Sequence, residues 1–122
     1  DNLTKSALSL VGKSYRLGSS GPKAFDCSGF TSYVFNKINI SLPRMATDQS
    51  RMGTSLKMSK ARPGDLVFFG SKSVDHVALI TKVKGSSISI AHATSSVGVI
   101  EMVLQDSDYW MKRFKSIRRV IY

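Results

Sequence analysis

The spacing of the hydrophobic residues changes near residue 40, and this change limits the folds that the chain can adopt. Before it, hydrophobic residues recur every three or four positions, which predicts amphipathic helices over residues 2–12 and 27–38. Asn2 can cap the first helix, Gly12 can end it, and Asp26 can cap the second. A shorter helix is predicted over residues 46–52. The N-terminal third is therefore helical.

After residue 40 the hydrophobic residues form short runs separated by turn residues, a pattern typical of strands. The predicted strands cover residues 65–69, 76–83, 87–92, 97–103 and 113–121, with a turn or short helix over 106–111. A turn around Gly85 predicts that the second and third of these runs form a hairpin. Helices followed by strands predict an α+β fold with a mainly antiparallel sheet of about five or six strands.

Size and composition favour one domain, residues 1–122, with a hydrophobic core. Hydrophobic residues make up 42% of the chain, too many for a disordered protein. The single cysteine excludes an internal disulfide and any zinc site with two thiolates. No hydrophobic run approaches the roughly 20 residues of a membrane span, so we expect no transmembrane segment.

The chain is strongly basic, with 18 Lys and Arg against 8 Asp and Glu, a net charge of +10. Such a charge suggests an acidic partner, of which nucleic acid is the obvious candidate. The basic residues are scattered, however, and are dense only over residues 112–119. That segment is either a solvated face or a binding patch.

Cys27 lies at the first turn of the second predicted helix, and two roles are open to it. A lone cysteine on the apolar side of a helix is usually a small buried hydrophobic residue. At a helix N-terminus, however, the free N–H groups and the helix dipole favour a thiolate, the nucleophilic form. Gly29 leaves room beside this position, either for a substrate carbonyl or for close packing of the helix against the sheet.

A nucleophilic thiol needs a base, and the chain has only two histidines, His76 and His92. If the hairpin has a regular register, their even separation of 16 positions puts both on one face of the sheet, at one end. We expect the helix of Cys27 to cover this same face. Cys27 would then be the nucleophile, His76 the base and His92 the residue that orients His76. A zinc ion held by these three residues is the metal-based alternative.

Five segments, in this order, resemble the NlpC family of papain-like cell-wall cysteine peptidases. They are Phe25-Asp26-Cys27-Ser28-Gly29-Phe30, Leu42-Pro43-Arg44, Pro63-Gly64-Asp65-Leu66-Val67-Phe68-Phe69, Asp75-His76-Val77-Ala78-Leu79 and Ile90-Ala91-His92-Ala93. The resemblance runs from Tyr15 to the Arg118-Arg119-Val120 tail. It implies a papain-like core in which Cys27, His76 and His92 are the catalytic residues.

The resemblance further implies an endopeptidase that cuts the peptidoglycan stem peptide between the γ-carboxyl of D-glutamate and the third-position diamino acid. By position, Tyr15 matches a tyrosine whose hydroxyl lies near the thiol and the oxyanion. Asp26 and Ser28 match positions that bind the free amine of L-alanine, and Arg44 matches a frequent arginine without an assigned role. No metal or cofactor is implied.

The resemblance changes the expected partner of the basic chain from nucleic acid to peptidoglycan and anionic wall polymers. It implies a protein that is secreted or lies in the cell envelope, although a signal segment is not visible in the chain. We expect a monomer. Two alternatives stay open: a basic binding module in which Cys27 is structural, and a related amidase or acyltransferase with the same fold.

Overall fold

The computed structural model describes residues 2–121, and the terminal residues of the predicted domain, Asp1 and Tyr122, lie outside this range. This range contains four α-helices, eight strands and two 3-10 turns, the turns at Met58–Lys60 and Leu104–Asp106. The helices are α1 (Asn2–Ser9), α2 (Cys27–Asn36), α3 (Ala46–Gln49) and α4 (Asp108–Arg113). The strands are β1 (Ser14–Tyr15), β2 (Ala24–Phe25), β3 (Thr54–Leu56), β4 (Leu66–Phe69), β5 (His76–Lys84), β6 (Ser87–Thr94), β7 (Gly98–Val103) and β8 (Phe114–Arg119).

Six strands form one antiparallel sheet in the order β3-β8-β4-β5-β6-β7, which confirms the predicted α+β class and strand number. Strand β5, which His76 begins, lies inside the sheet between β4 and β6. The small parallel pair of β1 and β2 and the edge strand β3 are absent from the prediction. These strands are two or three residues long and have no hydrophobic alternation that would indicate them.

Both long helices end earlier than predicted. Helix α1 ends at Ser9, and residues 10–12 form a turn in which Leu10 N–H still bonds to the Ala7 carbonyl. Val11, predicted on the apolar side, is 45% exposed because it lies on this turn. Helix α2 ends at Asn36, so Ile38 is outside the helix although it packs against the core.

Helices α1 and α2 pack on one face of the sheet. Phe30, Val34 and Phe35 of α2 are fully buried there. Their partners in the sheet alternate along the strands and are Leu66, Phe68, Val77, Leu79, Ala91 and Ala93. This alternation is what a sheet buried under a helical layer requires.

The two histidines lie on the other face, so the expectation that the helix of Cys27 covers their face is wrong. His76 shares this face with Ala78 and Ile80 of β5, and His92 shares it with Ile88 and Ile90 of β6. These apolar neighbours form a second core cluster, covered by Leu104, Trp110 and Met111 after β7. The sheet is apolar on both faces, and the sequence pattern alone did not show which face the helix covers.

A bulge in the β5–β6 hairpin places both histidines on one face. Next to the Gly85–Ser86 turn, Lys84 pairs with Ser87. If this register continued without a shift, His76 and His92 would lie on opposite faces of the sheet. Between Ile80 and Lys82 the register shifts by one residue, so that Leu79 pairs with Ala91. The shared face was predicted correctly, but from a regular register that the hairpin does not have.

Gly29 is required where α2 meets the loop that precedes it. A Cβ at this position would collide with the Ser19 carbonyl oxygen and lie 2.8 Å from the Asp26 carboxylate. The Ser19 carbonyl accepts the Asp26 N–H at 2.8 Å, so it is held in place. Gly29 therefore serves close packing, against this loop rather than against the sheet.

We predict that Gly29→Ala lowers the free energy of unfolding by about 1–3 kcal/mol, because the loop or the helix start must shift. Urea denaturation followed by circular dichroism measures the change. Asn36→Ala, at the exposed end of the same helix, is the control and should change stability by less than about 0.5 kcal/mol. Equal stability of the two variants would contradict the assigned collision.

Candidate active site

Cys27 is the first residue of α2, and Asp26 is its N-cap, as predicted. One oxygen of the Asp26 carboxylate accepts the Gly29 N–H at 2.7 Å, the other the Gly18 N–H at 2.9 Å. These bonds tie the helix start to the preceding loop. The position of the thiol is therefore set by the cap.

Arg44 connects the residues on either side of the cysteine. Its guanidinium donates to the Asp26 carboxylate at 2.8 Å and to the Ser28 hydroxyl at 2.8 Å. Burial alone would raise the pKa of Asp26, but its bond with Arg44 and the two backbone N–H bonds it accepts hold this pKa below the usual value. The structure thus brings together Asp26, Ser28 and Arg44, all three of which the sequence resemblance had indicated.

Gln49 of α3 holds the Arg44 loop and α2 together, a role that the sequence analysis missed. It is fully buried, accepts the Thr31 hydroxyl at 2.8 Å and donates to the Pro43 carbonyl at 2.8 Å. A single glutamine in a short predicted helix gave no signal of this role.

The Cys27 thiol is half-buried and lies 3.9 Å from the carbonyl oxygen of Asp75, which is the residue before His76. Burial raises the pKa of the thiol, with the Asp26 charge adding to the effect, and backbone N–H groups at Val77, Ser28 and Cys27 act against it. The expected favouring of the thiolate by the helix start is therefore present but outweighed. The resting group is a thiol, which must lose its proton to a base when it attacks.

His76 and His92 are hydrogen-bonded to each other, with His76 Nε2 and His92 Nδ1 2.8 Å apart. His92 is completely buried, whereas His76 is 8% exposed and faces the cleft that Cys27 also lines. This leaves Nδ1 as the His76 nitrogen that can serve the thiol. Of the two histidines, His76 is therefore the one that shares a cleft with Cys27, and His92 lies behind it.

Both imidazoles are neutral at pH 7. Burial lowers the pKa of His76 to about 3, and the neighbouring His92 contributes to this shift. Burial alone lowers the pKa of His92 to about 4. A neutral imidazole has a free lone pair and can accept the Cys27 proton.

Trp110 covers the histidine pair, and the sequence analysis missed it. Its indole stacks on His76 with ring centres 4.4 Å apart and meets His92 edge-on at 5.3 Å. The hydroxyl of Ser107, the N-cap of α4, accepts a hydrogen bond from the Trp110 backbone N–H at 3.1 Å. The signal was a tryptophan in a segment predicted as a turn or short helix.

Two clefts of about 490 and 310 Å³ meet at the thiol, and Tyr15, Cys27 and Asp75 line both. His76 and Trp110 line only the larger cleft, with the segment from Thr94 to Val97. Asp26 and Ser28 line only the smaller one, together with Met45 and Thr47. An extended substrate can therefore pass the thiol with one part in each cleft.

The Tyr15 side chain lies where these two clefts join. Burial raises its pKa above the ordinary value, and the nearby Cys27 and Asp26 charges act in the same direction. Its hydroxyl therefore stays protonated at neutral pH and can donate a hydrogen bond. This placement matches the position that the sequence resemblance implied for it.

Within residues 2–121, no three His, Cys, Asp or Glu side chains lie close enough together to hold a metal ion. The donor set at the site consists of one thiol and two mutually bonded imidazoles. In the same described range, no helix is both long and apolar enough to cross a membrane.

The NlpC/P60 family model matches residues 12–119, which includes every residue of the site. The chain belongs to the NlpC/P60 family. This confirms the family identified from the sequence segments and the papain-like α+β fold expected from them.

Individual NlpC/P60 proteins are similar over almost the whole chain. A Bacillus subtilis protein named gamma-DL-glutamyl hydrolase is 35% identical over 97% of the chain, which covers 29% of that protein. Escherichia coli murein DD-endopeptidase MepS/murein LD-carboxypeptidase is 38% identical over 90% of the chain and 57% of that protein. A Staphylococcus aureus crystal structure described as similar to lipoprotein, NLP/P60 family, has a TM-score of 0.84 at 35% identity, covering 99% of the chain and 41% of its own. The chain thus spans between about a third and three fifths of these NlpC/P60 proteins.

We predict that the histidine pair of this NlpC/P60 domain makes its stability fall as the pH drops from 7 to 5. Unfolded histidines have a pKa near 6.5, above the folded values of about 3 and about 4, so the unfolded chain binds more protons in this range. Each histidine should cost about 2 kcal/mol at pH 5 relative to pH 7. Urea denaturation at both pH values measures the loss.

The matched variant is His92→Asn, which should remove roughly half of this pH dependence. Carboxyl groups contribute little between pH 7 and 5, because they are ionised in both states. If the wild-type domain has the same free energy of unfolding at both pH values, the histidines are not buried in neutral form.

Proposed function

We propose that this domain is a cysteine endopeptidase of peptidoglycan stem peptides. The observation that carries the proposal is the 2.8 Å bond between His76 and His92, made beside the cleft that also holds the Cys27 thiol. Nucleophile, base and orienting residue come from three separate elements, α2, β5 and β6. A cysteine with only a structural role would not need a neutral, oriented imidazole in the same cleft.

In the proposed acylation step, the Cys27 proton passes to His76 Nδ1 while the sulfur attacks the substrate carbonyl carbon. The oxyanion is stabilised by the Cys27 N–H at the helix start and by the Tyr15 hydroxyl. His76 then gives its proton to the leaving amine, the C–N bond breaks, and a thioester remains. Water attacks the thioester with His76 again as base, which releases the acid and restores the thiol.

We assign the two halves of the substrate to the two clefts. His76 must protonate the leaving amine, and it lines only the larger cleft, so the diamino acid would lie there beside Trp110. The acyl half would then lie in the smaller cleft. Asp26 and Ser28 line that cleft, in agreement with the proposal that they recognise the L-alanine end.

The proposed scissile bond joins the γ-carboxyl of D-glutamate to the third-position diamino acid. The name of the Bacillus subtilis relative refers to a γ-glutamyl bond. The name of the Escherichia coli relative refers to DD-endopeptidase and LD-carboxypeptidase activities instead. A soluble tripeptide, L-Ala-γ-D-Glu-diamino acid, separates the proposed bond from these alternatives because it has neither a DD cross-link nor a residue after the diamino acid.

We predict that the wild type releases the free diamino acid and L-Ala-γ-D-Glu from this tripeptide, detected by mass spectrometry. Cys27→Ala should lower kcat/KM by about 10⁴-fold. His76→Ala should lower kcat/KM far more than His92→Asn does, because an asparagine at position 92 can still orient His76. A thiol alkylator should abolish the activity and a chelator should not. Circular dichroism confirms that each variant is folded.

Two outcomes would count against this function in different ways. Undiminished turnover by folded Cys27→Ala would exclude the thiol mechanism. Cleavage of cross-linked dimers but not of the tripeptide would keep the mechanism and reject the γ-glutamyl bond.

We further propose a single catalytic domain, residues 1–122, that acts as a monomer in the cell envelope and uses its positive charge to approach anionic wall polymers. Part of the dense segment 112–119 is already engaged within the fold. Arg119 pairs with Asp65 at 2.9 Å, and the Arg113 guanidinium lies over the Tyr109 ring at 3.7 Å. The scattered lysines therefore supply much of the free charge, which favours long-range attraction over one binding patch.

We predict that added salt slows the digestion of whole cell wall much more than cleavage of the soluble tripeptide, because screening removes attraction to a polyanion. Initial rates at 0.05 and 0.5 M NaCl on both substrates measure this difference. The tripeptide is the internal control for direct effects of salt on the site. Equal salt dependence of both substrates would reject charge as the means of approach.

A further inference from the structure

His92 has a second partner on its far side, the thioether of Met102. His92 Nε2 lies 3.3 Å from Met102 Sδ, a distance typical of an N–H···S hydrogen bond. Met102 is on β7, where Ile100 pairs directly with His92, so Met102 is its diagonal neighbour on the same face. The bond follows from the strand register, with both side chains held by the sheet.

A thioether sulfur accepts hydrogen bonds but has no hydrogen to donate. The proton in this contact must therefore be on His92 Nε2. Since the ring is neutral, His92 Nδ1 then has a free lone pair, and in the 2.8 Å bond it accepts the His76 Nε2 proton. His76 Nδ1 is consequently unprotonated, which is the state that a base for Cys27 requires.

We propose that Met102 is a positioning residue that sets the tautomers of both histidines and so keeps His76 Nδ1 free to accept the thiol proton. The proposal deepens the proposed function, on which its catalytic meaning rests. His92 is completely buried, so no bulk water competes for its Nε2–H. Within residues 2–121, Met102 is the hydrogen-bonding partner that the structure gives to this nitrogen.

Without the Met102 sulfur, no acceptor holds the proton on His92 Nε2, and the direction of the hydrogen bonds between the two histidines can reverse. His92 would carry its proton on Nδ1 and donate to His76 Nε2, and the His76 proton would move to Nδ1. His76 would then present an N–H to the thiol and could not accept its proton. The reversal also removes the cost of an N–H buried without an acceptor, which the original tautomer would incur.

The test uses the folded wild type and Met102→Leu, which keeps the apolar volume and removes the acceptor. Because the chain has two histidines, a long-range ¹H–¹⁵N spectrum contains two imidazoles and reports both tautomers directly. We expect Nε2–H on both rings in the wild type and Nδ1–H on both in Met102→Leu. On the tripeptide, kcat should fall about tenfold or more in the variant with KM unchanged.

Met58→Leu is the matched control, because Met58 packs against the same core cluster without a bond to either histidine. It should keep the wild-type spectrum and kcat. Met102→Gln, with an amide oxygen that accepts the same N–H, should restore both relative to Met102→Leu. A glutamine variant as slow as the leucine variant would assign the loss to packing and overturn the proposal.

The spectrum is recorded on the resting protein, so it is independent of the substrate. His92 protonated on Nδ1 in the wild type would overturn the proposal, as would a Met102→Leu variant with unchanged spectrum and kcat. If the wild type cleaves no stem peptide but shows the expected tautomers, the proposed function fails and the assignment of the hydrogen-bond chain stands.

Discussion

The site depends first on the Asp26 carboxylate, which organises the start of the helix that carries the thiol. It accepts hydrogen bonds from Gly29, Gly18 and Arg44, and so joins the start of α2 to the loop before it and the loop after it. A carboxylate at this position is favoured because the free N–H groups of a helix start attract negative charge. Burial raises the pKa of the adjacent thiol, and the Asp26 charge adds to this effect. The group that positions the proposed nucleophile thus also helps to keep it protonated.

The proposed base lies at the end of the sheet, where it lines the same cleft as the thiol. Helix α2 packs on one face, both histidines are on the other, and the two layers meet where α2 begins and β5 starts, with Cys27 against the Asp75 carbonyl. Two details of strand register shape this end of the sheet: the bulge between Ile80 and Lys82 in the β5–β6 hairpin, and the register of β6 on β7 that sets Met102 beside His92. The chemistry is therefore encoded in strand register as much as in residue identity.

The sequence predicted those features that rest on local patterns. The cap at Asp26, the start of α2, the hairpin and the antiparallel sheet follow from residue type and periodicity over a few positions. The face under α2 could not be predicted, because residues 76–81 of β5 and 90–94 of β6 are buried on both faces of the sheet. Trp110 and Met102 reach the histidines only through tertiary packing. Arg44 was indicated by resemblance, and its two bonds needed the folded loop.

The division of the site between two layers makes turnover a property of the assembled molecule. The helical layer has a protonated thiol without a base, and the sheet layer has an oriented imidazole without a nucleophile. Neither layer contains both groups, so a chain whose helices have not docked on the sheet lacks the assembled pair of thiol and imidazole. Under the proposed function, a wall-degrading activity would begin only when folding is complete. Cleavage of a stem peptide would then report on tertiary assembly as directly as any spectroscopic probe.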